Sequence, residues 1–438
     1  MNDNTEALHK FEEDCDWFIS EISSRKRVLP AFAHASKELT DRAKKDLDKL
    51  IEAHTSDKVY DEDGDLESYV VAEGYAGRHT ILQRAFEDIA IFSLSLPRMA
   101  LVSVVSTFDA YLARLMRNVY HVKPEILNSC ERQLTFTELI QFGSIEKARD
   151  FIIEKEIEGL LRNSHVAQFN WLSKTLNLTL TDLPAWKDFV ELTERRNLLV
   201  HADGVASIHY IETCKKHGIV LEDGTTLGSR LEITPKYYKN ACNCVAEIGL
   251  KLGQVLWRKL LPKELERAED SFIKTTFDLL IQGDYRLAEQ LLIISKERSF
   301  KKLNAESECY MSINLAIALK GQKKEEDCKK LLSAIDFSAL SRKFKLANFV
   351  LLDMHAEAAD LMIKIGTFDE PKQRDYHEWP LFKWFRKTIE FKEAYHQVFG
   401  EEFIIIQEAN KEGSPDTGDR NAEDTPSPAT KDAVAPIA

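Results

Sequence analysis

Glu194-Arg195-Arg196-Asn197-Leu198-Leu199-Val200-His201-Ala202-Asp203-Gly204 sets an arginine and an amide ahead of three apolar residues and a histidine, then closes on Asp-Gly. Glycine tolerates the left-handed backbone that ends helices, so Asp203-Gly204 reads as a helix stop and the residues before it as the last turns. Take Lys187 as the origin and advance about 100° per residue. Lys187, Glu191, Glu194 and Leu198 then share one face, and Ala185, Phe189, Leu192, Leu199 and Val200 the other. Arg196 falls inside the apolar face, while Leu198 is an apolar residue on the polar one. A guanidinium there needs a carboxylate, a cleft or a partner subunit, because breaking a buried ion pair costs roughly 3–5 kcal/mol. His201 lies about 140° from Arg196 on an ideal helix. The two meet only if the helix breaks between Asn197 and His201 or a second subunit completes the pair.

Working outward, Thr181 or Asp182 followed by Pro184 opens this helix, and residues 136–165 form another through Phe151, Ile152, Leu160 and Leu161. Upstream, Ser95 is placed to cap a long core helix with Pro97 in its first turn. Leu101, Val104, Val105, Phe108, Leu112, Leu115 and Val119 form its apolar stripe, which ends before Pro124. Residues 1–84 read as a helical extension, interrupted by a solvated acidic turn at Asp61-Glu62-Asp63-Gly64-Asp65. A calcium loop starting there would need a carboxylate at its twelfth position, where Ala72 stands. Downstream come a short helix over 205–217 and a small β-hairpin built from Gly218–Gly224 and Arg230–Thr234. Thr234-Pro235 starts a further helix, and Leu261-Pro262 marks the end of a helical bundle over 85–262.

Residues 270–405 repeat themselves weakly. Ala288 followed by Leu291-Leu292 is echoed by Cys328 with Leu331-Leu332 and by Ala358 with Leu361-Met362. Small residues at that spacing let helix pairs stack closely, so an α-solenoid similar to tetratricopeptide repeats is expected. The aromatic run from Tyr376 to Phe399 reads as its capping helix, and residues 410–438, rich in Pro, Ser, Thr and Asp, as a disordered tail. The fold class is mainly α.

The net charge of -13 argues against a broad basic surface that coats nucleic acid, but leaves room for a small basic cleft. Seven cysteines include no C-x-x-C pair, so reduced thiols and no metal or other cofactor are expected. The N-terminus has no signal-peptide pattern, and the longest apolar stretch, near Met99–Val105, is too short to span a bilayer. A cytoplasmic protein without membrane contact follows.

Chemically, the opening stretch suffices to cut RNA. Histidine titrates near neutrality and exchanges protons with a ribose 2'-hydroxyl or a leaving 5'-oxygen. Arginine grips a phosphate and stabilises the charge that builds on it. Asparagine orients either group, and a 2'-hydroxyl nucleophile requires no metal. Arg196-Asn197-Leu198-Leu199-Val200-His201 resembles the R-x4-6-H motif of the HEPN superfamily of helical-bundle ribonucleases, with a polar residue directly after the arginine. Arg195 also meets the spacing, but only Arg196 has the polar neighbour. The resemblance covers roughly residues 85–262. It implies an endoribonuclease with catalytic Arg196, Asn197 and His201, a composite site across a homodimer, an RNA substrate, and a place in toxin or anti-phage defence systems. Asp109 is the candidate carboxylate to pair Arg196. Members paired with nucleotidyltransferases carry a tyrosine two residues after the histidine; Asp203 stands there in this chain. The alternative reading is a catalytically silent HEPN scaffold that binds a protein partner on its repeats.

Overall fold

The computed structural model describes residues 3–61, 66–130, 132–222, 224–296 and 304–404. It is mainly helical. Helix α1 (Asp3–His54) runs out from the bundle, a two-stranded antiparallel sheet of β1 (Thr55–Tyr60) and β2 (Leu66–Val71) turns the chain, and α2 (Ala76–Val122) returns along α1. Then follow α3 (Phe136–Phe142), α4 (Ile145–Leu161), α5 (His165–Leu176), α6 (Trp186–His201), α7 (Ile208–Lys216) and α8 (Pro235–Leu260).

The stripe read from Leu101 to Val119 is fully buried and forms the axis of the bundle. Aromatic side chains on α2 tie it to α6 and α1. Phe108 packs edge-on against Phe189 of α6 at 4.8 Å between ring centroids, and Tyr111 stacks on Phe18 of α1 at 4.2 Å. Phe11 of α1 stacks in turn with Trp257 of α8. The first half of α1 therefore lies inside the bundle. Close approach is possible because α8 carries Gly249 and Gly253 where a Cβ would overlap Phe18 and Tyr111.

Several local expectations are corrected. Ser95 does not cap a helix: α2 continues through Ser95 and Pro97, and Ser95 Oγ donates to the Phe92 carbonyl (2.8 Å). The apolar run is consequently longer than the sequence reading allowed. α2 alone among the described helices is long and apolar enough to cross a membrane, with a window of mean hydropathy 1.8 that is only 17% buried. The helix expected over 136–165 is split at Gly143, which adopts a positive φ and ends α3. The hairpin expected at 218–234 is absent among the described residues. That segment instead lays one stretch against the end of α6: Leu231 N donates to Gly204 O (2.9 Å), Ala206 N to Ser229 O (2.8 Å), and Val205 bridges Arg230. Val220 is 95% exposed, so the alternation of that run has no sheet to cover it. The one described hairpin lies instead beside the acidic turn, of which Glu62–Asp65 fall outside the described residues.

Beyond Pro262 come α9 (Leu265–Ile281), α10 (Tyr285–Leu292), α11 (Ala305–Gly321), α12 (Glu325–Ser333), α13 (Arg342–Leu351) and α14 (His355–Ile365). They form three helix pairs whose turns share one geometry, with a positive φ at Gly283, Lys323 and Asp353. The echoed small residues Ala288, Cys328 and Ala358 are all buried. The aromatic run is broken into α15 (Gln373–Glu378), short 3₁₀ turns and α16 (Ile389–Phe399), around a buried cluster of Tyr376, Phe382, Phe385, Phe391 and Tyr395. Pro380, which lacks a backbone donor, explains why one capping helix does not form. The tail at 410–438 lies outside the described residues.

Candidate active site at the end of α6

Helix α6 starts after Ala185 without a side-chain cap, so neither Thr181 nor Asp182 opens it. It then runs without interruption to His201. Ala202 N and Gly204 N both return to Leu198 O (2.8 and 3.0 Å), and Asp203 and Gly204 take positive φ. The helix thus stops at the Asp-Gly pair, and no break falls between Asn197 and His201. Within one chain, Arg196 and His201 project about 140° apart.

Three of the sequence-derived residues do come together. Arg196 Nη2 donates to Asp109 Oδ2 (2.6 Å) and Nη1 to Asn197 Oδ1 (3.1 Å). The Arg196 side chain is 19% exposed, and its buried Nε has no hydrogen-bond partner. Asp109 reaches this point because it sits one residue past Phe108, on the flank of the α2 stripe. His201, by contrast, is exposed at the last position of α6.

Sequence reasoning missed His165. Its Nε2 donates to Asp109 Oδ1 (2.7 Å), since a carboxylate only accepts, and its ring lies against Phe108 and Phe189. His165 is the first residue of α5, directly after the capping Ser164. The Ser-His step marks a helix start that the apolar spacing over 136–165 hides. One aspartate is therefore shared by a buried imidazole and a half-buried guanidinium.

The wheel misassigned two faces of α6. Leu198 is buried with Ala206, Tyr210, Cys214 and Leu231, whereas Val200 is 49% exposed. The reason is that α7 and the 219–234 segment cover the side expected to face solvent. This side also engulfs Arg195, which is 2% exposed. Arg195 Nε donates to Glu191 (2.6 Å), Nη1 donates to Glu232 O (3.1 Å), and the guanidinium lies 4.0 Å over the Tyr237 ring. Glu191 also accepts from the Tyr210 and Tyr237 hydroxyls (2.7 and 2.6 Å). Burial alone would lower the Arg195 pKa, yet Tyr237, Glu191 and Tyr210 together raise it. Arg195 is thus closed into a structural network.

Past the helix end, Asp203 accepts from Arg98 Nη1 (2.6 Å) and from Arg230. The Arg98 hydrogen bond, aided by the Arg230 charge, holds its carboxyl below the usual range. Asp203 is thus an ion-pair anchor for α2 and the 230 segment. Comparison with protein-family models, curated proteins and solved structures found no match to this chain.

Proposed function

We propose that the chain is a HEPN-type endoribonuclease that cuts RNA by attack of the ribose 2'-hydroxyl without a metal. The observation that carries this reading is the Asp109–Arg196–Asn197 set: a half-buried guanidinium, still 19% exposed, oriented by a carboxylate and an amide. Arg196 grips the scissile phosphate and stabilises its developing charge. His201 takes the 2'-hydroxyl proton or returns one to the departing 5'-oxygen, leaving a 2',3'-cyclic phosphate and a 5'-hydroxyl. Because α6 is continuous, His201 of a second copy must complete the site, so the active form is a homodimer. The three helix pairs after Pro262 stack as a tetratricopeptide-like solenoid that senses a trigger or holds a protein partner. A cytoplasmic toxin or anti-phage effector is the setting that fits such a combination.

Two observations favour a second reading, a catalytically silent HEPN scaffold. Asp109 already neutralises Arg196, and His201 projects away from it within the chain. Incubating purified protein with total RNA, beside Arg196→Ala and His201→Ala, separates the two. Cleavage by the wild type that both substitutions remove and EDTA leaves intact supports the nuclease. Equal cleavage by all three proteins, or none with any partner or phage trigger, refutes it.

A further inference from the structure

Helix α1 meets α9, the first helix of the repeats, along a seam of ion pairs. Arg267 Nε donates to Glu12 (2.8 Å), Lys274 Nζ to Asp16 (3.1 Å) and Lys26 Nζ to Asp284, just past the end of α9. The pairs follow one another in the same order along both segments, so the two helices run side by side in one direction. Between the second pair and the third, the seam opens into a cavity of about 220 Å³.

Each helix gives this cavity a polar face. Ser20, Ser23 and Arg27 recur at helical spacing on α1, and Lys274, Asp278 and Gln282 do so along α9 and its C-cap. Lys274 is satisfied by Asp16, and Lys26 by Asp284. Arg27 and Asp278 are left, because among the described residues neither side chain joins an ion pair or a hydrogen bond. Burial raises the Asp278 pKa, opposed by the charge of Lys274 and aided by that of Asp16, and Arg27 plays no part in it. Two opposite charges thus line one cavity without neutralising each other. Ser23, only 7% exposed, lines it one turn before Arg27, and its hydroxyl bonds no described residue.

Opposite charges held apart in one cavity call for a ligand that carries both. We propose that the cavity binds a small zwitterion, a free amino acid with a small or polar side chain, its carboxylate on Arg27 and Ser23 and its ammonium on Asp278. A guanidinium meets a carboxylate with two parallel charge-assisted hydrogen bonds, so Arg27 fixes one end. The C-terminal end of α9 adds partial negative charge beside Asp278, which favours the ammonium at that wall. Size and charge exclude larger anions. Sites for drug-sized ligands occupy roughly 300–1,000 Å³, and a nucleotide would bring its phosphates against Asp16 and Asp278. Because the two walls belong to the bundle and to the repeats, an occupied cavity ties one to the other. The inference goes beyond the nuclease reading and stands whether or not RNA is cut.

Thermal unfolding of the full chain with glycine, L-serine or L-glutamine at about 10 mM tests it, since a ligand of the folded state raises the melting temperature. At least one of the three is expected to do so, with a dissociation constant of about 1 mM or tighter. Ethanolamine and acetate, which each carry only one of the two charges, should leave the temperature unchanged. Arg27 and Asp278 are exposed, so Arg27→Gln and Asp278→Asn should fold and bind at least about tenfold more weakly. No shift with any of the three amino acids overturns the proposal, as does an equal shift with ethanolamine or acetate, or undiminished binding by both variants. Should a variant fail to fold, hydrogen exchange on the unaltered protein decides. Amides of 16–27 and 274–282 must gain protection with the amino acid that raises the temperature, and no gain there overturns the proposal.

Discussion

Arg195 and Arg196 are adjacent, yet their surroundings set them different tasks. Arg195 satisfies its charge with Glu191, the Glu232 carbonyl and the Tyr237 ring, and nothing is left to meet a ligand. Arg196 bonds Asp109 and Asn197 and stays 19% exposed. Asp109 is then the residue on which both charge and geometry turn, because it also holds His165. Asp109→Ala should destabilise the protein by about 1–3 kcal/mol, since it leaves a half-buried guanidinium without its carboxylate. Asp109→Ala/Arg196→Ala should recover part of that loss, because no unpaired charge remains. Urea titrations of the four proteins in a double-mutant cycle measure the coupling. A coupling energy near zero would show that the pair is incidental.

The α8 helix illustrates how an element gains its place through what it lacks. A Cβ at Gly249 would overlap the Phe18 ring, which is itself stacked on Tyr111, so the position admits glycine for packing rather than for backbone freedom. Alanine would gain up to about 1 kcal/mol of helix propensity. Overpacking a closed core costs typically about 1–3 kcal/mol, so Gly249→Ala is expected to lower the melting temperature by calorimetry. An unchanged or raised temperature would mean the Phe18 ring has room to move. The same contrast explains what the sequence disclosed. Periodicity exposed the α2 stripe, the Thr234-Pro235 start and the small residues at Ala288, Cys328 and Ala358, because each depends on local spacing. The run through Ser95 and Pro97, the burial of Leu198 and the Asp109–His165 contact escaped. They depend on tertiary packing by α1, α7 and α5, which the local spacing does not encode.

At the scale of the whole molecule, the uninterrupted α6 makes the nuclease reading depend on a second copy. If Arg196 and His201 act across a two-fold interface, neither Arg196→Ala nor His201→Ala alone retains a site with both groups. Unfolding and refolding the two variants together yields mixed dimers, in which one site unites the intact Arg196 of one chain with the intact His201 of the other. With random pairing, half the dimers are mixed and half the sites in those are complete, so roughly a quarter of wild-type RNA cleavage returns. A site formed within one chain predicts no return, since each chain lacks one of its groups.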